Sequence, residues 1–135
     1  MVETRKSIVV DAPPSVVFKA LTDESELVQW YPNEAKMDAR VGGEYEFKIH
    51  WAAKNLTAVA NGKILEIIPN KKLSYTLAAS YPGSDRHLDD TVVTWTLEEL
   101  PDGKTRVTIV HVGVDWEGYS HWLGRLANYC LKMKL

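Results

Sequence analysis

Apolar positions along this chain follow two different periods. From Asp115 to Leu135 the period is helical: at ~100° per residue, Tyr119, Trp122, Leu123, Leu126, Tyr129, Cys130 and Met133 fall on one arc. Ala127 and Leu131 widen that arc to roughly 200°, beyond the stripe of an ordinary surface helix. His121, Arg125, Asn128 and Lys132 form the opposite, polar strip. The spacing predicts one long amphipathic helix, up to ~30 Å at ~1.5 Å per residue. Asp115 and Glu117 lie near its positive end, and Lys132 and Lys134 near its negative end, as the helix dipole favours. Gly118 disfavours helix by about 1 kcal/mol, so either Asp115 or Gly118 is the expected N-cap.

Upstream the period falls to two. Thr4 to Val10 reads as a strand with Ile8 and Val10 on one face, stopped by Asp11-Ala12-Pro13-Pro14. Proline is tolerated in a first helical turn, so a helix begins at Pro13 or Pro14 and turns Val17, Phe18 and Leu21 inward. Thr22 or Asp23 caps a second short helix, Asp23 and Glu26 having capping-box spacing; it offers Leu27 and Trp30 before Tyr31-Pro32-Asn33 breaks it. Strands follow at Ala35–Arg40, Glu44–Trp51, Thr57–Ile68, around Leu73–Leu77, Thr91–Leu100 and Thr105–Val114. Tyr45, Phe47, Ile49 and Trp51 share one face of their strand; Val93, Trp95 and Leu97 share another; Val107, Ile109, His111 and Gly113 a third. Asn61-Gly62 is read as a glycine bulge that bends its strand, in preference to a hairpin turn. Tyr81 to Asp90 is the longest polar loop, and Pro101-Asp102-Gly103 a hairpin turn. With short connections throughout, the sheet is antiparallel. The expected architecture is α+β: a curved antiparallel sheet of about six to seven strands around a long C-terminal helix, with two short helices after the first strand. A gap between sheet and helix would be a ligand pocket.

Composition narrows the classes without choosing among them. The 135 residues suit one domain, spanning residues 1–135. A net charge of −2 gives no basic footprint for nucleic acid, and no apolar run reaches the ~18 residues of a membrane span. The start of the chain carries no signal-peptide pattern, so the glycosylation sequon at Asn55-Leu56-Thr57 is set aside and a cytoplasmic location is expected. The single Cys130 reads as a small core residue in a reducing compartment.

Several segments together carry a family resemblance. Ala12-Pro13-Pro14-Ser15-Val16-Val17-Phe18-Lys19-Ala20-Leu21-Thr22-Asp23 resembles the opening of the AHSA1-like (activator of Hsp90 ATPase homologue 1-like) domains. Gln29-Trp30-Tyr31-Pro32 is similar to their Trp-rich segment, and Val41-Gly42-Gly43-Glu44-Tyr45-Glu46-Phe47 to their Gly-Gly-x-Tyr-x-Phe hairpin. Residues 62–76 resemble their central strand pair, Thr105 to Gly113 their last strand, and Gly118-Tyr119 with Trp122 and Leu126 their C-terminal helix. The resemblance runs from about residue 8 to the end of the chain. It implies the helix-grip fold of the Bet v 1/START-like (SRPBCC) superfamily and a cavity between the curved sheet and the last helix. The family's eponym stimulates the Hsp90 ATPase, but there the domain accompanies a separate N-terminal one. This chain has no room for that domain, so Hsp90 is not the expected partner.

Candidate chemistry is sparse. His111 stands on the face that should look at the helix, either as a hydrogen-bonding group in a pocket or as a core histidine with an internal partner. Trp51, Tyr75, Trp95, Tyr119 and Trp122 are expected to face inward as core or as the wall of a pocket for a flat or lipid-like ligand, with Trp95 and Trp122 the first candidates to reach a wet cavity. His87, Asp89 and Asp90 share a loop, where gating of a pocket mouth is a better reading than metal binding. His121 pairs with Glu117 on the helix surface, and His50 is exposed. No nucleophile, phosphate-loop or zinc motif appears, and Glu44 and Glu46 alternate to the polar face. The expected function is therefore binding of a small hydrophobic or aromatic molecule by Phe47, Trp51, Tyr75, Trp95, His111, Tyr119, Trp122 and Leu126. No catalytic residue, cofactor, metal, nucleic acid or membrane insertion is expected, and a homodimer through the sheet edge or helix face is compatible but not demanded. The alternatives are a chaperone-associated, Hsp90 co-chaperone-like interaction protein, and a cyclase- or hydrolase-like enzyme using pocket acid–base groups.

Overall fold

The computed structural model describes residues 2–51, 56–81, 87–114 and 118–134. Their order is β1 (Glu3–Val10), α1 (Pro14–Thr22), α2 (Glu24–Trp30), β2 (Glu34–Met37), β3 (Glu44–Trp51), β4 (Leu56–Ile68), β5 (Lys72–Ser80), β6 (His87–Leu100), β7 (Lys104–Val112) and α3 (Tyr119–Lys134). The seven strands form one sheet in the order β1-β7-β6-β5-β4-β3-β2, every pair antiparallel. The first strand closes on the last, so α1 and α2 carry the chain from one sheet edge to the other. The sheet curves around the helices, as the helix-grip resemblance implies. Strand parity sets the layering: Tyr45, Phe47 and Ile49 of β3, Val93, Trp95 and Leu97 of β6, and Val107, Ile109 and His111 of β7 are buried, while their charged neighbours face outward.

Local chemistry explains the ends of the elements. Pro14 occupies the first position of α1, where its missing N–H is not needed. Asp23 caps α2 by accepting from the Ser25 N–H at 2.9 Å. The expected capping box does not close: the Glu26 carboxylate instead accepts from the Tyr129 hydroxyl at 3.1 Å and pairs with Lys19 at 3.3 Å, tying α3 and α1 to α2. Gly118 is the N-cap of α3, its carbonyl accepting from the Trp122 N–H at 3.4 Å. Asp115 and Glu117, the other expected N-terminal groups, lie outside the described residues, as do Asn55 of the sequon and residues 82–86 of the expected 81–90 loop.

Four expectations change in detail. The wide apolar arc of α3 is narrower: Tyr119, Trp122, Leu123, Leu126 and Cys130 are buried, whereas Leu131 and Met133 are 44% and 50% exposed. One-sided packing buries a single stripe, and that stripe ends at Cys130. β2 stops at Met37 rather than Arg40. β6 starts at His87, so His87 and Asp89 belong to a strand end, not a loop. The bulge in β4 falls between Ile64 and Glu66, not at Gly62. Gly62 serves close approach instead. A Cβ there would stand 2.0 Å from the Thr76 carbonyl oxygen, the same oxygen that accepts from the Tyr45 hydroxyl at 2.6 Å. Tyr45 is the cross-strand partner of Gly62.

Gly62→Ala therefore forces two backbones apart and loosens the Tyr45 hydroxyl contact. We expect a loss on the order of 2 kcal/mol, the scale of overpacking a tight site, read as a lower urea midpoint with an unchanged slope. An unchanged midpoint would mean the β4–β5 approach is soft.

Candidate functional site

Aromatic side chains fill the space beneath the sheet, and they form a circuit. Trp30 meets Tyr31 (5.4 Å between ring centroids), Tyr31 meets Phe47 (5.8 Å), Phe47 meets Tyr45 (4.9 Å) and Tyr45 meets Tyr75 (4.7 Å). Tyr75 accepts a hydrogen bond from Trp95 Nε1 at 3.0 Å, and Trp95 packs edge-on to Trp30 at 6.4 Å. Two further polar tips bond backbone beside it: Trp30 Nε1 donates to the Ala20 carbonyl at 2.9 Å and the Tyr45 hydroxyl to the Thr76 carbonyl at 2.6 Å. Burial pushes the Tyr75 hydroxyl up to about 12 and raises those of Tyr31 and Tyr45 as well, so all three stay protonated and able to donate.

His111 belongs to a second, separate network. Thr91 Oγ1 donates its one proton to the Leu77 carbonyl at 2.6 Å, so toward His111 Nε2, 2.8 Å away, it accepts. Nε2 must carry the ring proton, which leaves Nδ1 as an acceptor for the Tyr119 hydroxyl at 2.7 Å. The network fixes a neutral imidazole of one tautomer, and burial holds its pKa down to about 4. Tyr119 is the first residue of α3, so this chain of hydrogen bonds fastens the start of the helix to β5, β6 and β7.

A half-open cleft of about 420 Å³ lies at that same end of α3. Val28, Tyr31, Pro32, Asn33, Ile49, His50, Gly118, His121, Trp122 and Arg125 line it. One side of it is aromatic: Tyr31 and Trp122 pack at a tilt, 4.7 Å between ring centroids with 38° between their planes. His121 packs edge-on to Trp122 at 5.3 Å, and the Arg125 guanidinium lies over the Trp122 ring at 5.4 Å. Asn33 Oδ1 accepts from the His50 backbone N–H at 2.6 Å, pinning the 31–33 turn to β3.

The residues expected at a ligand thus divide. Trp122 lines the cleft, and Phe47 backs it through Tyr31. Tyr75 and Trp95 belong to the aromatic circuit, His111 and Tyr119 to the hydrogen-bond network, and Leu126 is fully buried. The Trp51 side chain lies outside the described part of the structure. Tyr31, Asn33, His50, His121 and Arg125 were not expected there. The Trp30-Tyr31-Pro32 run was the one visible signal, since a helix broken by Pro32 leaves an aromatic ring at its end.

The carboxylates and the thiol weighed as candidates do not line the cleft. Glu44 is exposed, and Glu66 pairs with Lys72 at 3.3 Å on the outer face. Burial pushes the Cys130 thiol up to about 12, far from a reactive thiolate. His87 and Asp89 pair at 3.2 Å on exposed strand, and no three His, Cys, Asp or Glu side chains among the described residues gather to hold a metal ion. No helix among the described residues is long and apolar enough to cross a membrane.

A family model described as activator of Hsp90 ATPase homolog 1-like protein (AHSA1) matches residues 11–122. Among solved structures, protein CV1439 from Chromobacterium violaceum is 28% identical, with a TM-score of 0.78 over 95% of this chain and 96% of that one. Protein MLL2253 from Mesorhizobium loti is 21% identical, with a TM-score of 0.79 over 99% of this chain and all of that one (100%). The Aha1 dimer from Colwellia psychrerythraea is 24% identical, with a TM-score of 0.69 over 99% and 94%. No curated protein matches the sequence.

The His111 network makes stability depend on pH with a definite sign. The unfolded imidazole takes a proton near 6.5 and the folded one only near about 4. Between those values the unfolded state binds more protons, so stability is complete above 6.5 and falls as pH drops toward 4. We expect this group to contribute a loss on the order of 2 kcal/mol between pH 6.5 and 4.5. Urea unfolding of the parent and His111→Gln across that range isolates it: the variant, though less stable at pH 7, should lose less on acidification. Parallel pH slopes would show that His111 does not carry the effect.

Proposed function

We propose that this chain, which belongs to the activator of Hsp90 ATPase homolog 1-like family, binds a small hydrophobic or aromatic molecule where the sheet–helix gap opens as the cleft at the start of α3. The cleft itself is the observation that carries this reading. Its 420 Å³ falls in the ~300–1,000 Å³ range of small-molecule pockets. Tyr31, Trp122, Ile49 and Pro32 form one apolar side of a cleft whose remaining lining is mainly polar, and that side gives a flat or aliphatic body surface to cover, worth roughly 25 cal/mol per Å². Trp122 is only 7% exposed, so the wall is backed by the core and is preorganised. Of the ligand residues proposed from the sequence, Trp122 makes the contact and Phe47 holds Tyr31 behind it. Tyr75, Trp95, Tyr119, His111 and Leu126 do not line the cleft and belong to the packed core and the His111 network. Carriage or sequestration fits better than turnover, because Glu44 and Glu66 stand away from the cleft and His111 is engaged at both ring nitrogens. A free, buried Cys130 suits a reducing compartment such as the cytoplasm.

Native mass spectrometry of the freshly purified protein, followed by gentle denaturation, tests this directly. We expect a discrete small molecule to leave with unfolding, and Trp122→Leu to reduce its occupancy or raise its Kd at least about tenfold, equivalent to ~1.4 kcal/mol. Leu131→Ala, on the exposed last turn, should change nothing. A clean apo mass that takes up no aromatic or aliphatic probe at millimolar concentration would overturn the reading.

A further inference from the structure

We propose that the ligand is an organic anion: a flat apolar body against Tyr31 and Trp122, and a carboxylate head held by Arg125 with the imidazoles of His50 and His121 and the amide of Asn33. This deepens the binding reading above and rests on it. What the cleft presents to a ligand's polar end is almost wholly donors. Arg125 offers five N–H groups and no acceptor. Its guanidinium is placed over Trp122 at 5.4 Å and makes no ion pair with any described residue, so its edges are free for a bidentate partner. The Asn33 side chain uses its carbonyl oxygen on the His50 backbone N–H, which leaves its NH₂ group for a ligand. His50 Nδ1 is 2.9 Å from Thr57 Oγ1, which leaves Nε2 available, and His121 is exposed at the rim. No Asp or Glu is among the described lining residues, although the whole chain carries 18 acidic against 16 basic residues. Among the described residues the local sign is therefore opposite to that of the molecule. A cation packed on an aromatic wall with no carboxylate partner among the described residues favours a ligand that brings one.

The intact protein titrated calorimetrically with 2-naphthoate and its neutral isostere 2-naphthamide tests the head group separately from the body. We expect the acid to bind at least tenfold more tightly at low salt, with the preference shrinking as salt rises. Arg125→Gln should abolish the preference of acid over amide, and Arg125→Lys, which keeps charge but loses the fork, should keep only part of it. Trp122→Leu should weaken both compounds alike. Equal affinity for acid and amide, or a preference that survives Arg125→Gln, overturns the anion proposal while the pocket stands. Failure of both compounds to bind overturns the pocket and, with it, the head group.

Discussion

Everything in this fold depends on filling the concave side of a curved sheet. A one-layer sheet that wraps a helix leaves more space than one helical stripe can occupy. α3 supplies Tyr119, Trp122, Leu123, Leu126 and Cys130, and the aromatic circuit of Trp30, Tyr31, Phe47, Tyr45, Tyr75 and Trp95 fills the remainder. Such ring pairs add ~0.5–1.5 kcal/mol each beyond the area they bury. Their polar tips would be costly in that setting if unpaired. They are not: Trp95 donates to Tyr75, Tyr45 to the Thr76 carbonyl and Trp30 to the Ala20 carbonyl, and no described buried side-chain polar atom lacks a partner.

The circuit also explains where an opening survives. Tyr31 is both a member of the ring of aromatics and the stacking partner of Trp122. The outermost core contact is thus the innermost wall of the cleft. A site built this way inherits the rigidity of the core, since moving Tyr31 disturbs Trp30 and Phe47 at once. Fold alone does not assign function in so widely used an architecture. The chemistry of this cleft has to be argued from its own side chains, and those are an aromatic wall with a cationic rim.

Much of the architecture was legible in the chain because burial follows parity. Alternation at Tyr45, Phe47 and Ile49 or at Val107, Ile109 and His111 identifies the inner face without any knowledge of the fold, and the proline and glycine punctuation places the turns. Parity says which face a residue occupies, not what it meets there. Trp95 and Trp122 are both inward aromatics in the sequence, yet one is hydrogen-bonded to Tyr75 and the other borders open space. Asn61-Gly62 reads as a kink because glycine permits one. The actual bulge lies beyond Ile64, and the glycine answers to Thr76, a residue on the next strand that a local window does not contain. Arg125 and His121 read as the solvated strip of a helix. Only the arrival of the 31–33 turn and β3 beside α3 turns that strip into the rim of a cleft.

The two networks meet at the beginning of α3. Tyr119 is held by His111, and within the next two turns the same helix presents His121, Trp122 and Arg125 to the cleft. Because a helix moves as a unit over so short a span, the hydrogen bond at Tyr119 sets the position of the cationic rim relative to Tyr31 and Asn33. Protonation of His111 places a donor at Nδ1 where the Tyr119 hydroxyl now donates, and the bond must be remade or lost. The group that makes stability fall in acid is therefore also the one that positions the cleft-facing side of the helix. Loosening at low pH should begin at the helix start and the cleft rather than in the aromatic circuit, whose hydroxyls and indoles do not titrate in that range.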